Sequence, residues 1–540
     1  MRMRDDTRRR LAADGLQGRL RRRFPLRTAL AGLVIVALAL TTVSCGGGAG
    51  GSAETARKVP AGEGTLILSN IVAASTQLAS AAGWANQSPY MQAVYDTLLH
   101  EAPDGSLEPW LASAWVYSDD RKTLTLTLRP DVVFIDGTRF TADAAAQNLL
   151  RFRDGSSPNR ARLANVLDVK ATGDHTVQIT LSRPDPGLLP SLAQNPGLQA
   201  SPAQFNAPDA EAVPVGSGPY VLDTKATVPG SRYVYHANPG YWAPEIRHYR
   251  KLVINVYDQE PTIVNAISTG EINGAQLPGS GSIRQIEAAG FTLYPQEISF
   301  NGLLILDRDG VTNKALGDVR VRQAINYAID RKAMLEAAAN GLGTVTTQVL
   351  GPSSPAYDAT LDGRYPYDPV KARQLLAAAG YPDGFRLTMP AIAGTGNLPL
   401  ATLTAAFLGD AGIKVVYEQQ ADLASYVGAL AQGKFGIGWM QLQTSPSVAF
   451  VVADRIAKGG PFNPFGTNRP QVTAWLDRIY TGTAEESNEA AKALNAYIVE
   501  QAWFDPWYRN QTFFAADANT VVTQQDTNTY PYLWNIRPRR

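Results

Sequence analysis

The chain has 540 residues, 45% of them hydrophobic and 18% charged, which is ample for more than one buried core and fits neither a disordered nor a multi-span membrane protein. Lys plus Arg total 49 against 48 Asp plus Glu, and much of the basic excess sits in the first 27 residues, so the body has no field that would draw in nucleic acid. One cysteine and four scattered histidines (His100, His175, His236, His248) give neither an internal disulfide nor a zinc-type spacing, so neither a protein-built metal site nor a cofactor is expected.

The first predicted element is a secretory signal over residues 1–45. A basic region ends at Arg27, and an apolar stretch follows from Ala29 to Leu40. About 12 to 15 apolar residues are too few to cross ~30 Å of hydrocarbon as a helix. Thr41-Thr42-Val43-Ser44-Cys45-Gly46 closes it, and Gly46 to Ser52 begins a flexible tether predicted over 46–64. A small residue before a sole cysteine resembles a bacterial lipobox, although Thr42 stands where lipoproteins usually carry Leu. That resemblance implies cleavage before Cys45, a lipid on its sulfur, and anchoring to the outer face of the cell membrane. Arg21-Arg22-Arg23-Phe24 also resembles a twin-arginine export signal, which leaves the export route open.

Beyond the tether, strand and helix signals alternate without an internal repeat. Thr65–Ser69 is a short β run, and Thr123 to Arg129 alternates Thr and Leu as a half-buried antiparallel strand should. His175–Ser182 and Ser231–His236 repeat that style. Asp318 is placed to cap a helix over Val319–Ala328, and Asp330 to start another that stops at Asn340-Gly341. Asp368-Pro369 opens a helix that Gly380 ends; Leu398–Gly412 and Ala484–Glu500 are further helices, and Arg386–Met389, Lys414–Tyr417 and Gly436–Met440 are strands between them. Strand-rich sequence up to about residue 300 gives way to alternating β and α sequence up to about 505, so two mixed α/β lobes are expected, the second inserted within the first.

Local chemistry gives each motif a structural role first. Asp136-Gly137 suits a hairpin turn. Gly216-Ser217-Gly218-Pro219 lacks the spacing of a phosphate loop and its following Lys, and its proline blocks a helix, so it reads as a chain crossing between subdomains. The helix from Val319 should place Val319, Ala324, Ile325, Ala328 and Ile329 on one apolar stripe while Arg320 and Arg322 diverge to solvent. No nucleophile elbow, His-Glu-x-x-His helix or nucleotide loop is present, and Asp119-Asp120 and Glu485-Glu486 read as solvated, so no catalytic residue is expected.

Four segments taken together resemble one family. They are Pro109 to Trp115 with Leu128 to Phe134 and Asp136-Gly137; Phe140 to Asp143; Val215 to Tyr220 with Asn238 to Trp242; and Asp318 to Arg331. Their order and spacing resemble the oligopeptide-, dipeptide- and nickel-binding proteins of ABC importers, known as solute-binding protein family 5. The resemblance implies an α/β, two-lobed periplasmic-binding-protein (Venus flytrap) fold of the large peptide-binding subtype with an extra subdomain. On that plan lobe I takes 65–100, 215–300 and 506–540, the extra subdomain 101–214, and lobe II 301–505, with crossovers near Phe300-Asn301 and Asp505 to Arg509. It implies a monomer that closes on a peptide or peptide-like small molecule and delivers it to ABC permease subunits.

Peptide binders of this family carry Gly-Trp, two residues, Asp, three residues, Pro, and the acid pairs with the peptide's α-ammonium group. Here the stretch is Gly438-Trp439-Met440-Gln441-Leu442-Gln443-Thr444-Ser445-Pro446, with Leu442 in the acid's place. A buried ammonium without a carboxylate costs several kcal/mol, so a neutral or N-blocked ligand is expected. Trp439 is expected as a stacking wall, Gln441 or Gln443 as hydrogen-bond partners, and Leu442 and Thr444 beside them; Ser69, Asn70 and Trp84 are candidates on the first lobe. Trp503, Trp507 and Tyr508 are expected to pack rather than to contact ligand. An oligosaccharide, a metal chelate or a siderophore-like cargo on the same fold, and more distantly a secreted hydrolase, are the competing expectations.

Overall fold

Alternation becomes strand at Thr123–Leu128, where Leu124, Leu126 and Leu128 are buried and the threonines face outward. The computed structural model describes residues 63–539 apart from 278, 393–397 and 445–446. The chain divides into two compact units, Met1–Thr55 and Ala56–Arg540, and all described residues belong to the second. The signal segment, Cys45, most of the tether, Ser445 and Pro446 lie outside the described residues. Among the described residues no helix is long and apolar enough to cross a membrane.

Nine strands form the main sheet. Its order runs Ile437–Gln443, Thr292–Ile305, Phe504–Ala516, Gly274–Leu277, Thr65–Asn70, Lys251–Val256, Arg232–Ala237 and Tyr220–Leu222, and Gly343–Val345 pairs with Phe504–Ala516 off this path. Thr65–Asn70 is parallel to both of its neighbours; the other pairings are antiparallel. The two long strands, Thr292–Ile305 and Phe504–Ala516, run side by side through the molecule. At one end Phe513–Ala516 also pairs with Gly274–Leu277, and at the other Ser299–Ile305 also pairs with Ile437–Gln443. Their ladder slips twice, between Gln296 and Ser299 and between Asn301 and Gly302. At the second slip Trp507 is the extra residue, and Gly302 is required there: a Cβ would lie 2.4 Å from the Asp505 carbonyl oxygen.

A separate four-stranded antiparallel sheet, in the order Ala112–Tyr117, Thr123–Leu128, Thr176–Leu181 and Val166–Gly173, packs with the helix Ala142–Asp154 around Leu124, Leu126, Phe152, Val177 and Ile179. Two further apolar clusters fill the region from residue 300 to 508, one around Ile305, Ile325, Leu376 and Trp507, the other around Phe300, Val452, Leu494 and Trp503. Residues before 292 and after 512 fill two more.

The helix punctuation follows from capping. Asp318, Asp330 and Asp368 each accept from a backbone N–H of the first turn, and Asn340 closes the second helix in the left-handed region at φ 51°. Thr483 and Glu486 form a reciprocal capping box at the start of Ala484–Glu500. Asp136-Gly137 is a tight turn with Gly137 at φ +86°. The glycines of Gly216-Ser217-Gly218 allow the chain to press against Val94: a Cβ on Gly216 would meet the Val94 oxygen at 2.1 Å.

That close approach lets Ser217 donate to the buried Asp96 at 2.7 Å. Trp110 and Trp242 donate through their indole nitrogens and Tyr241 through its hydroxyl, each at 3.0 Å. Two of the four sequence segments therefore converge on one carboxylate. Burial raises the pKa of Asp96 and the four donors oppose that rise.

One expectation is corrected. Arg320 is exposed and pairs with Asp318, but Arg322 is only 3% exposed. Its guanidinium donates to the carbonyls of Leu316, Gly317 and Gln501, and burial lowers its pKa to about 10. Helical periodicity placed it at the edge of the polar face, and the chain around 316–317 and 501 folds over that edge.

Candidate functional site

A cavity of about 360 Å³ opens between two distant stretches of the chain. Glu101, Arg162, Gln194 and Thr527 line one side; Gln443, Thr444, Ser447, Phe450 and Arg455 line the other. The two walls touch. The Arg162 guanidinium lies 4.8 Å from the centre of the Phe450 ring, and the Gln443 amide donates to the Thr527 carbonyl at 3.1 Å. Just outside the cavity, Arg121 donates to the Gly482 carbonyl at 2.9 Å and Arg183 stands 4.4 Å over the Tyr480 ring.

Its charges are unequal. Glu101 is 4% exposed and accepts from the Tyr532 hydroxyl at 2.6 Å and the Thr527 hydroxyl at 2.8 Å. Burial raises its pKa, against the pull of those donors and of Arg162. Arg162 donates to Gln194. Arg455 donates to the Gln443 carbonyl and lies 5.6 Å over the Phe300 ring. Behind it, Arg308 donates to the Arg455 carbonyl at 3.3 Å; burial and the nearby Arg322 lower its pKa to about 9. Among the described residues, two guanidinium groups line the cavity with one carboxyl whose ionisation burial disfavours.

Of the residues expected from sequence, only Gln443 and Thr444 line this cavity. Distance along the strand separates the others: Trp439 and Gln441 share the face of Gln443 but line a different cavity, with Asn301 and Tyr508. Asn301, Gln441 and Tyr508 are in register on one face of the sheet, as are Leu303 and Trp439, while Met440 and Leu442 point the other way. Trp439 packs on the cluster around Ile305 and Leu442 on the cluster around Phe300, so Leu442 is an apolar packing residue. Ser69, Asn70 and Trp84 are buried elsewhere. Asn70 donates to the Asn86 carbonyl at 2.7 Å, Ser69 accepts from Tyr530 through its carbonyl, and Trp84 packs 6.2 Å from Tyr532. None of the three lines this cavity. Trp503, Trp507 and Tyr508 are buried and belong to the apolar cores. Sequence reasoning missed Glu101, Arg162, Phe450, Arg455 and Thr527, which carry no local motif and meet only through the fold. Among the described residues no cluster of three metal-ligating side chains exists.

Residues 106–463 match the family model of bacterial extracellular solute-binding proteins, family 5 (middle region). The chain is 33% identical over 313 residues to the nickel-binding periplasmic protein of Escherichia coli K12, an alignment covering 55% of this chain and 57% of that protein. It is 34% identical over 290 residues to the glutathione-binding protein GsiB of the same organism, covering 52% and 54%. The chain thus spans little more than half the length of these relatives. Solved structures extend the likeness. DppA of Helicobacter pylori in complex with the peptide STSA superposes with a TM-score of 0.74 at 19% identity, over 89% of this chain and 99% of that one. NikA of Brucella suis in complex with Fe(III)-EDTA gives 0.75 at 22%, over 88% and 100%. The fold is the two-lobed α/β fold of these binding proteins. The chain belongs to the family 5 bacterial extracellular solute-binding proteins.

Proposed function

We propose that this family 5 protein is the substrate-binding component of an ABC importer, and that its solute lies in the cavity between Glu101–Arg162 and Gln443–Arg455. One observation carries the reading: a polar chamber walled by two stretches of chain that touch only through a few side chains across it. A solute bridging both walls gains contacts only when they are together, and that difference in free energy drives closure. Lobe I is 65–100, 215–300 and 506–540, the extra subdomain 101–214, and lobe II 301–505. The separate apolar clusters of 98–193 and 300–508 and the paired long strands support those boundaries.

The solute is a small molecule with an acidic group and no free ammonium. Among the described residues that line the cavity, Arg162 and Arg455 repel an ammonium and favour an anion, while burial makes Glu101 hold its proton more readily than a surface acid. An N-blocked peptide fits; so does a chelate or another organic acid, a reading favoured by the nickel-binding relative. The protein acts as a monomer at the outer face of the cell membrane, held by a lipid on Cys45, and hands its solute to permease subunits. It performs no catalysis.

Native mass spectrometry of the full chain purified from its own cells should show a co-purifying acid, and titration calorimetry should give tighter binding for an N-acetylated peptide than for its free-amine form. Tight binding of a zwitterionic tetrapeptide with no response to N-acetylation would sink the solute assignment; turnover of the bound compound would sink the importer reading. Replacement of Cys45 by Ala should move the protein from the membrane fraction to the medium.

A further inference from the structure

A second cavity, of about 330 Å³, lies between the strand Phe385–Ile392, the helix Leu398–Asp410 and the edge strand Ile437–Gln443, and it shares no lining residue with the cleft. Leu303, Met389, Leu400, Tyr426, Trp439 and Trp507 form its walls. The first three and Trp507 belong to one apolar cluster of this region and Tyr426 to the other, so the chamber marks a place where two cores fail to meet. Packed interiors hold few voids larger than a water molecule. This one is about twice the ~150 Å³ of a cavity that stays dry and takes up benzene.

The lining is apolar by construction. No charged side chain contributes to it. Its buried or half-buried hydroxyls are spent on the backbone: Tyr426 donates to the Trp439 carbonyl at 2.7 Å, Tyr417 to the Ala401 carbonyl at 2.6 Å, and Thr404 to the Leu400 carbonyl at 2.7 Å. Water inside would find the unpartnered Trp439 indole N–H but few others of the two to four partners it needs. Aromatic faces and edges come from Tyr417, Tyr426, Trp439 and Trp507. Thr402 and Gln419, both exposed, stand at the rim and mark a way in.

We propose that this chamber is a second small-molecule site, separate from the transport cleft, that takes an uncharged aromatic compound of about two fused rings. Size selects the ring count, the dry wall excludes charged molecules, and the ring-rich lining favours aromatic over branched aliphatic guests. This assignment does not rest on the identity of the transported solute.

The test uses the full chain and 2-naphthol, followed by titration calorimetry. One saturable equivalent should bind. Ala405 lines the chamber, so Ala405→Phe should fill it, weaken 2-naphthol binding at least tenfold and leave the melting temperature unchanged or raised. If Ala405→Phe fails to fold, Ala405→Leu serves the same purpose with a smaller group. Gln443→Ala, in the cleft, should leave 2-naphthol binding as it was. The proposal is overturned by absence of saturable binding, by undiminished binding in both Ala405 variants, or by loss of binding in Gln443→Ala, which would place the probe in the cleft.

Discussion

Replacing Arg121 and Arg183 together by Ala should open the protein without touching its cavity. Neither residue lines the chamber, yet each reaches across its mouth, Arg121 to the Gly482 carbonyl at 2.9 Å and Arg183 to the Tyr480 ring at 4.4 Å. A half-exposed hydrogen bond from a cation contributes about 1–1.5 kcal/mol, and an exposed cation–π contact about 0.5–1 kcal/mol. Their joint loss removes about 2 kcal/mol from the closed form, roughly a thirtyfold shift toward the open one. If the empty protein is mostly open, the whole shift appears in the apparent dissociation constant, because the solute must then close the cleft with less help. If it is mostly closed, the same perturbation appears in the empty state, as a larger radius of gyration by small-angle scattering. Calorimetry and scattering on the same sample therefore capture the effect wherever the resting equilibrium lies. Both contacts sit near solvent, so the difference between wild type and variant should shrink in 1 M salt. An unchanged radius of gyration together with unchanged affinity would refute the claim that these arginines hold the walls together.

Asp96→Ala should cost about 3 kcal/mol, since it strands four donors, two of them (Ser217 and Tyr241) fully buried, and should appear as a fall in the denaturation midpoint with no change in the cleft. His100 is stacked 4.5 Å from Trp110 and 4.1 Å from Trp534, and burial lowers its pKa to about 4. The unfolded chain binds that proton near pH 6.5 and the folded chain resists it, so stability falls as pH drops from 6.5 toward 4, by up to about 3 kcal/mol. Denaturation of His100→Phe should lose that part of the acid sensitivity, and an identical pH profile would remove His100 as its source. Leu442→Asp should lower stability by about 1–3 kcal/mol, because it puts a carboxylate against the cluster around Phe300, and calorimetry should show that it gains affinity for free-amine peptides only if its carboxylate reaches the cleft.

Local rules of capping and alternation act within one turn or one strand, which is why Asp318, Asp330, Asp368 and the threonine–leucine strand could be read from sequence. The site depends on longer reach. Reading Trp439, Gln441, Leu442, Gln443 and Thr444 together as ligand contacts gave no weight to where along the strand the opposite wall approaches, and only the strand's last residue and the one beyond it reach the cavity. Arg162 lies 288 residues from Phe450 and Thr527 84 from Gln443, and no spacing could announce such pairs.

The buried arginines show how far that limit extends. A solvated reading of Arg322 assumes that a cation inside the protein needs an acid, yet carbonyl oxygens satisfy it as well. Arg308 follows the same plan, donating to the Ile305 carbonyl at 3.0 Å and stacking 4.4 Å from Trp503, and among the described residues neither arginine forms an ion pair. Carbonyl groups stabilise a guanidinium but do not cancel its charge. Asp309 and Asp318 offset part of the positive potential of Arg308 and Arg322 behind Arg455, and what remains adds to Arg162 and Arg455 at the cleft wall. A chain whose formal net charge is only +1 can thus present a locally cationic chamber, because what sets the potential there is the set of charges the fold gathers around it.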